Sequence, residues 1–231
     1  MNKLILFEEE LKKKYLYSSK IKRNLSTQKP AIFFDRDGVL IKDCHYISSA
    51  NKVEIEVGVR EIIKFAKSNN WIVIIITNQS GISRGYFTWD EYKFVTNRFL
   101  EDLALPSYID GIYANGFDDK RYSYWRKPNP GMIFEAQRDF NIDLSKSILI
   151  GDRFSDIKAG LKANIQTIFH VLTGHGLLER SEIVQKLSEE KYLESYKIKK
   201  LCFNKKGKSN KIYFIDNLTC FPTNFLKLKN D

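Results

Sequence analysis

Ala31-Ile32-Phe33-Phe34-Asp35-Arg36-Asp37-Gly38 places four apolar residues directly before two carboxylates and a glycine. A short apolar run that ends in a polar turn reads as a strand covered on both faces. The pattern then alternates. Val57–Ser68 has apolar residues at helical spacing, and Trp71–Ile76 is an almost wholly β-branched strand. Thr88–Leu103 reads as a helix opened by a Thr88 cap, and Ile109–Ala114 as a strand. Pro130–Phe140 reads as a helix with proline in its first turn, Ser147–Ile150 as a strand, Ser155–Ala163 as a helix and Gln166–Val171 as a strand. This alternation predicts an α/β fold, a Rossmann-like parallel sheet with helices on both faces.

Outside this region the pattern weakens. Residues 1–28 read as a basic N-terminal extension, with a short helix expected over Leu4–Leu16; residues 29–176 form the core. Residues 177–231 read as a C-terminal basic extension that could add a last strand and helix. In it, Leu177–Tyr196 is expected to be a charged helix, Lys205–Asn210 a loop, Lys211–Asp216 a strand and Pro222–Leu228 a helix. The chain has 231 residues and a formal charge of +10, all of it in the flanks: 1–29 and 177–231 each carry +5, and 30–176 is neutral. The flanks are read as solvated lysine-rich ends; a nucleic-acid grip is the less favoured alternative. No apolar run reaches the roughly 18 residues of a membrane span, and Glu8–Glu10 interrupt the short N-terminal apolar patch, a poor secretory signal. The three cysteines, Cys44, Cys202 and Cys220, are widely spaced and are read as free thiols in a reducing compartment, so the expected location is cytoplasmic.

In open α/β sheets, sites form at the carboxyl ends of strands. Four polar clusters fall there: Asp35-Arg36-Asp37-Gly38, Thr77-Asn78-Gln79-Ser80-Gly81, Arg126-Lys127-Pro128 and Gly151-Asp152-Arg153 with Asp156. Their chemistry fits together. A carboxylate attacks an anionic phosphate ester only where cations offset the charge. Converging aspartates suit Mg²⁺, a hard ion that prefers oxygen. A second carboxylate two residues on can pass a proton to a leaving alkoxide and take one from water. A threonine hydroxyl, backbone N–H groups and a lysine can hold the phosphoryl oxygens.

These segments resemble the haloacid dehalogenase superfamily of phosphohydrolases, and more closely its D-glycero-D-manno-heptose 1,7-bisphosphate phosphatases and histidinol-phosphate phosphatases. The resemblance runs from about Pro30 to Gly174 and rests on Phe34–Val39, Thr77–Phe87 and Arg126–Met132. It implies a core with a minimal cap and a Mg²⁺-dependent phosphomonoesterase acting through an aspartyl-phosphate. Asp35 would be the nucleophile and a metal ligand, and Asp37 the acid/base with its carbonyl on the metal. Thr77 would assist catalysis and, with Asn78, hold the phosphoryl group. Lys127 would stabilise nucleophile and phosphate, Arg126 would contact substrate, and Asp152 would complete the metal site. Asp43, Cys44, His45, Tyr46, Gln79 and Ser80 match pocket-lining stretches, and Arg153 stands where a lysine is common. The implied partner is a small phosphorylated metabolite, the chain being expected to act as a monomer.

One departure is large. The heptose phosphatases usually carry a zinc loop of cysteines and a histidine before R-K-P, whereas Asn115–Trp125 has neither residue type, so zinc of that type is not expected. Tyr122, Tyr124 and Trp125 are expected to fold this loop by packing, with stacking on a sugar as the less favoured alternative. The phosphatase domain of polynucleotide kinase–phosphatase shares the T-N-Q and R-K-P-x-x-G-M segments, which makes a nucleic-acid 3′-phosphatase the rival reading. Asp156 is open between a metal-site role and helix capping. Of the histidines outside the pocket-lining stretch, His170 and His175 are read as structural.

Overall fold

The structure is a computed structural model and describes residues 16–21, 27–105, 108–187, 192–195, 198–205 and 208–227. Nine strands form one sheet among the described residues: β1 (Leu16–Lys20), β2 (Ala31–Phe34), β3 (Ile72–Asn78), β4 (Gly111–Asn115), β5 (Ile148–Gly151), β6 (Thr167–His170), β7 (Tyr192–Ser195), β8 (Ile198–Lys205) and β9 (Lys208–Phe214). Their order is β1-β4-β3-β2-β5-β6-β9-β8-β7. The pairs from β4 through β9 are parallel, while β1 on β4, β8 on β9 and β7 on β8 are antiparallel.

Five α-helices cover the sheet: α1 (Val59–Ser68), α2 (Trp89–Leu103), α3 (Gly131–Phe140), α4 (Phe154–Lys162) and α5 (Gly176–Leu187). Side-chain alternation along β2 divides the core. Ile32 and Phe34 join Val59, Ile63, Val95 and Phe99 on one face; Ala31 and Phe33 join Met132, Ala136, Ile157 and Ile183 on the other. With both faces covered, β2 needs no polar position, which is why its burial is complete. Helix α2 starts as expected, in a full capping box: Thr88 Oγ1 accepts from Glu91 N and the Glu91 carboxylate accepts from Thr88 N.

The flanks depart from their expected form. Leu16–Lys20 pairs with β4 in full register, covering the edge of β4 and becoming the outermost strand of the sheet. The expected helix over Leu4–Leu16 lies outside the described residues apart from Leu16, which is strand. The expected helix over Leu177–Tyr196 ends at Leu187, and Tyr192–Ser195 is strand. Lys208–Asn210, expected as loop, belongs to β9, and Thr223–Leu226 forms a 3₁₀ turn in place of an α-helix. For the strands the cause is shared: pairing to a neighbouring strand overrides local composition, and such partners are not visible in a window of sequence.

No helix among the described residues is long and apolar enough to cross a membrane.

Candidate active site

The carboxyl ends of β2, β3 and β5 and the segment before α3 converge on a cavity of about 590 Å³. Asp35 follows β2 directly, its N–H bonded to Ile150 O at 3.0 Å, so the backbone that places it is an extension of the sheet. Its Oδ1 accepts from Arg36 N at 2.7 Å and its Oδ2 lies 2.9 Å from Lys127 Nζ. Lys127 is buried and its ammonium is fully engaged, reaching Asp156 Oδ1 at 2.7 Å and Ile76 O at 3.0 Å as well. A double clasp fixes its backbone: Lys127 N donates to Asn78 Oδ1 at 3.1 Å and Asn78 Nδ2 donates to Lys127 O at 3.0 Å.

Asp152 is buried beside this group. Its Oδ2 accepts from His175 N at 2.7 Å, its carbonyl meets His170 Nε2 at 2.8 Å, and its Oδ1 is buried with no hydrogen-bond partner. One oxygen each of Asp35, Asp152 and Asp156 lie within 4.8 Å of one another. Burial raises the pKa of Asp35 to about 6 against the opposing pull of Lys127. Burial, then the charges of Asp35 and Asp156, raises Asp152 well above the usual carboxylate range. Burial works to lower Lys127, but Asp156 and Asp35 outweigh it and the net direction is upward. Three converging carboxylates around a single ammonium, with one oxygen left unsatisfied, fit a hard divalent cation such as Mg²⁺. Protons compete for these oxygens. Mg²⁺ affinity is therefore expected to tighten about tenfold or more between pH 5 and pH 7; titration calorimetry showing a flat profile would remove these carboxylates as ligands.

Of the two readings left open by the sequence, the contacts of Asp156 show the helix cap, and they add an ion pair with Lys127. Its Oδ2 accepts from Arg153 N at the start of α4, and its Oδ1 faces Lys127.

Two close-packed glycines shape this centre. Gly38 and Gly174 have φ of +80° and +57°, and Thr173 Oγ1 donates to Gly38 O. A Cβ at Gly38 would lie 2.6 Å from Asp152 Oδ2 and 2.8 Å from Gly174 Cα. Gly38→Ala is expected to cost about 1–3 kcal/mol through strain and displacement of Asp152. Thermal denaturation checks this, and an unchanged Tm would show that the turn relaxes.

Asp37 is held on one side. Arg36 Nε and Nη2 donate to its carboxylate at 2.9–3.1 Å, and Gln79 Nε2 donates to Asp37 Oδ2 at 2.7 Å and to Thr77 Oγ1 at 2.8 Å. Arg36 is itself buried, its guanidinium 4.9 Å from the Tyr92 ring centroid. The sequence reading passed over Arg36, because a charged residue between two aspartates looks like a surface residue. Its burial depends on α2, which supplies Tyr92.

Of the expected pocket residues, Asp43, His45, Tyr46, Asn78, Gln79, Ser80, Arg126 and Arg153 line the cavity. Cys44 does not; it is exposed, with Sγ 3.9 Å from Lys52 O. His175, read as structural, lines the cavity and pairs through Nε2 with Asp43 Oδ2 at 2.9 Å. His170 is structural: burial and then Arg180 lower its pKa to about 4, and its ring ties Arg180 to the Asp152 carbonyl.

The loop before Arg126 is held by hydrogen bonds. Asn115 Nδ2 and Arg126 Nη1 both donate to Phe117 O at 3.0 Å, Ser123 Oγ donates to Asn115 Oδ1, and Asn129 Nδ2 donates to Ser123 O. Arg84 joins three loops at the cavity mouth by bonding Tyr46 Oη and Asp119. Trp125 packs edge-on to Tyr113 and Tyr124 stacks on Phe134, as packing residues should. Tyr122 is 82% exposed and does not.

A parallel α/β sheet presenting a carboxylate pair, a threonine and a further buried aspartate at its strand ends, with a buried lysine in the segment before α3, has the arrangement of a HAD-like phosphohydrolase, and the HAD-hydrolase-like family model matches residues 124–191. A crystal structure from Mesorhizobium loti, described as a HAD-like phosphatase, shares the fold with a TM-score of 0.72, covering 94% of this chain and 97% of that one at 24% identity. The D,D-heptose 1,7-bisphosphate phosphatase of B. bronchiseptica, solved with magnesium and phosphate, has a TM-score of 0.62 and 27% identity over 66% of this chain and 86% of that one. The D-glycero-alpha-D-manno-heptose-1,7-bisphosphate 7-phosphatase of Photorhabdus laumondii is 38% identical over 161 residues, 65% of this chain and 86% of that protein. The D-glycero-beta-D-manno-heptose-1,7-bisphosphate 7-phosphatase of Helicobacter pylori is 38% identical over 138 residues, 59% of this chain and 80% of that protein. The chain belongs to this heptose-bisphosphate phosphatase family of HAD-like hydrolases, and it is a phosphatase.

Proposed function

We propose that this protein hydrolyses a phosphate monoester of a small sugar, D-glycero-D-manno-heptose 1,7-bisphosphate or a related sugar phosphate, through a covalent phosphate on Asp35. The observation that carries the reading is the Asp35–Lys127 pair lining the cavity, with Asp156 behind Lys127. Asp35 Oδ attacks phosphorus, the bond from phosphorus to the sugar oxygen breaks, and Asp37 gives its proton to that oxygen. Asp37 then takes a proton from water as the water oxygen attacks the acyl phosphate, returning the Asp35 carboxylate and inorganic phosphate. For this, Asp37 exchanges its Arg36 fork for the leaving oxygen, which its position on the cavity wall allows. Thr77 and the backbone at Asn78 meet the phosphoryl oxygens, and the Lys127 ammonium exchanges its contact to Asp35 for one of them as the Asp35 carboxylate bonds to phosphorus. Asp35, Asp152 and the Asp37 carbonyl would hold Mg²⁺, which when bound would supply the charge neutralisation that lets one anion approach another.

Relatives are named for both anomers of the bisphosphate, so both belong in the test. Phosphate release is measured with Mg²⁺ on the α- and β-1,7-bisphosphates, heptose 7-phosphate, histidinol phosphate and a 3′-phosphorylated oligonucleotide. One bisphosphate anomer is expected to lead the others by about tenfold or more in kcat/KM. Preference for the oligonucleotide would overturn the sugar reading, and no release from any compound by folded protein would overturn the whole.

A further inference from the structure

A second group of metal-ligand type lies on the same cavity wall. Asp43, His45 and His175 each offer a ligand atom, all within 4.8 Å of one another, and all three line the cavity. They come from separate parts of the fold: Asp43 and His45 from the connection between β2 and α1, His175 from the residue before α5. Asp43 is fixed at both oxygens, Oδ1 accepting from His45 N at 2.9 Å and Oδ2 meeting His175 Nε2 at 2.9 Å. The His45 ring stands edge-on to the His175 ring at 5.7 Å between centroids, and the imidazole makes no hydrogen bond to the described residues.

We infer that Asp43, His45 and His175 form a binding site for a borderline divalent transition-metal ion, distinct from the carboxylate group around Asp35. Two imidazoles and a carboxylate suit Zn²⁺ or Co²⁺, whereas three carboxylates suit Mg²⁺. The chemistry of the two donor sets thus sorts the ions. Ligand atoms around a tetrahedral ion with bonds of about 2.0–2.1 Å stand roughly 3.3 Å apart. Closing from the present spacing needs a rotation of His45, which is exposed, and an opening of the Asp43–His175 pair from 2.9 Å as the ion takes the place of their shared hydrogen bond. Three protein ligands leave a coordination position toward the cavity, where it would take a hydroxyl or phosphate oxygen of the substrate at a distance from the bond being cleaved. The inference does not rest on the sugar reading, because the probe is the metal alone.

The experiment uses the full chain without an affinity tag, stripped with chelator and held in excess Mg²⁺ to occupy the carboxylate group. Titration with Co²⁺, followed by visible absorption and calorimetry, is expected to show one equivalent bound, displaced by Zn²⁺. His45→Ala and His175→Ala are each expected to weaken binding by about tenfold or more, with far-ultraviolet circular dichroism unchanged, while Cys44→Ser binds as the parent does. Should His175→Ala misfold, the exposed His45→Ala decides alone. Absence of Co²⁺ binding in Mg²⁺, undiminished binding by His45→Ala, or a thiolate charge-transfer band that disappears in Cys44→Ser would each overturn the site.

Discussion

Asp35→Asn is expected to lower phosphate release by at least about 10⁴-fold and, in metal-free protein, to raise stability at neutral pH. The first effect follows from the role of the carboxylate. An amide nitrogen or carbonyl of nearly the same shape fills the space but cannot form the acyl phosphate. The second follows from burial. Asp35 has a folded-state pKa raised from 3.8 to about 6, so the folded protein binds a proton there more tightly than the unfolded chain does. Its contribution to stability therefore falls as pH rises from about 4 to 6 and stays low above that. The shift corresponds to a cost on the order of 2–3 kcal/mol at neutral pH. Asparagine removes the cost, while Lys127 keeps Asp156 and the Ile76 carbonyl as partners. The Tm advantage of the variant should be near zero at pH 4, grow toward pH 6 and then level off. Denaturation scans across that range check the stability claim, and a variant with near-parent turnover would remove Asp35 as nucleophile.

Lys127→Ala is expected to be damaging on both counts. At neutral pH it leaves Asp35 and Asp156 buried without their cation, a loss of about 3–5 kcal/mol in comparable buried pairs. It also removes the ammonium that faces the phosphoryl oxygens, which is worth about 10²–10³ in kcat. The destabilisation should shrink in mild acid, where Asp35 takes up a proton in place of the lost charge. Mg²⁺ should raise the Tm of the variant more than that of the parent, because the same oxygens then lack any other cation. Lys127→Arg should not restore activity. The site is built for a compact ammonium with three divergent acceptors, Asp35, Asp156 and Ile76 O, and a planar guanidinium cannot meet them in the same buried space. Parent-like Tm and turnover in Lys127→Ala would refute this account of the site.

The two residues differ in how readable they were. Asp35 sits directly after an apolar run, so its strand end was legible from local pattern. Lys127 was legible only through its Arg-Lys-Pro context, since nothing local indicates that a lysine will be buried. Arg36 was missed for the same reason in stronger form: two of the side chains it packs against, Gln79 and Tyr92, are more than forty residues away in the chain. His175 was read as structural because the aspartate it meets, Asp43, lies in a different connection of the sheet.

The sequence by itself determined the alternation of strands and helices, the strand ends at Asp35, Thr77 and Asp152, and the chemical type of the centre. Apolar periodicity and the position of polar residues after strands are local signals, and they carry that information whole. Tertiary structure alone decided the pairing of Leu16–Lys20 onto β4, the extra strands beyond Leu187, the Arg36–Asp37–Gln79 network and the meeting of Asp43 with His45 and His175. Each of these depends on a partner distant in sequence. Its energy comes from pairing or burial against that partner, so no stretch of sequence read alone contains it.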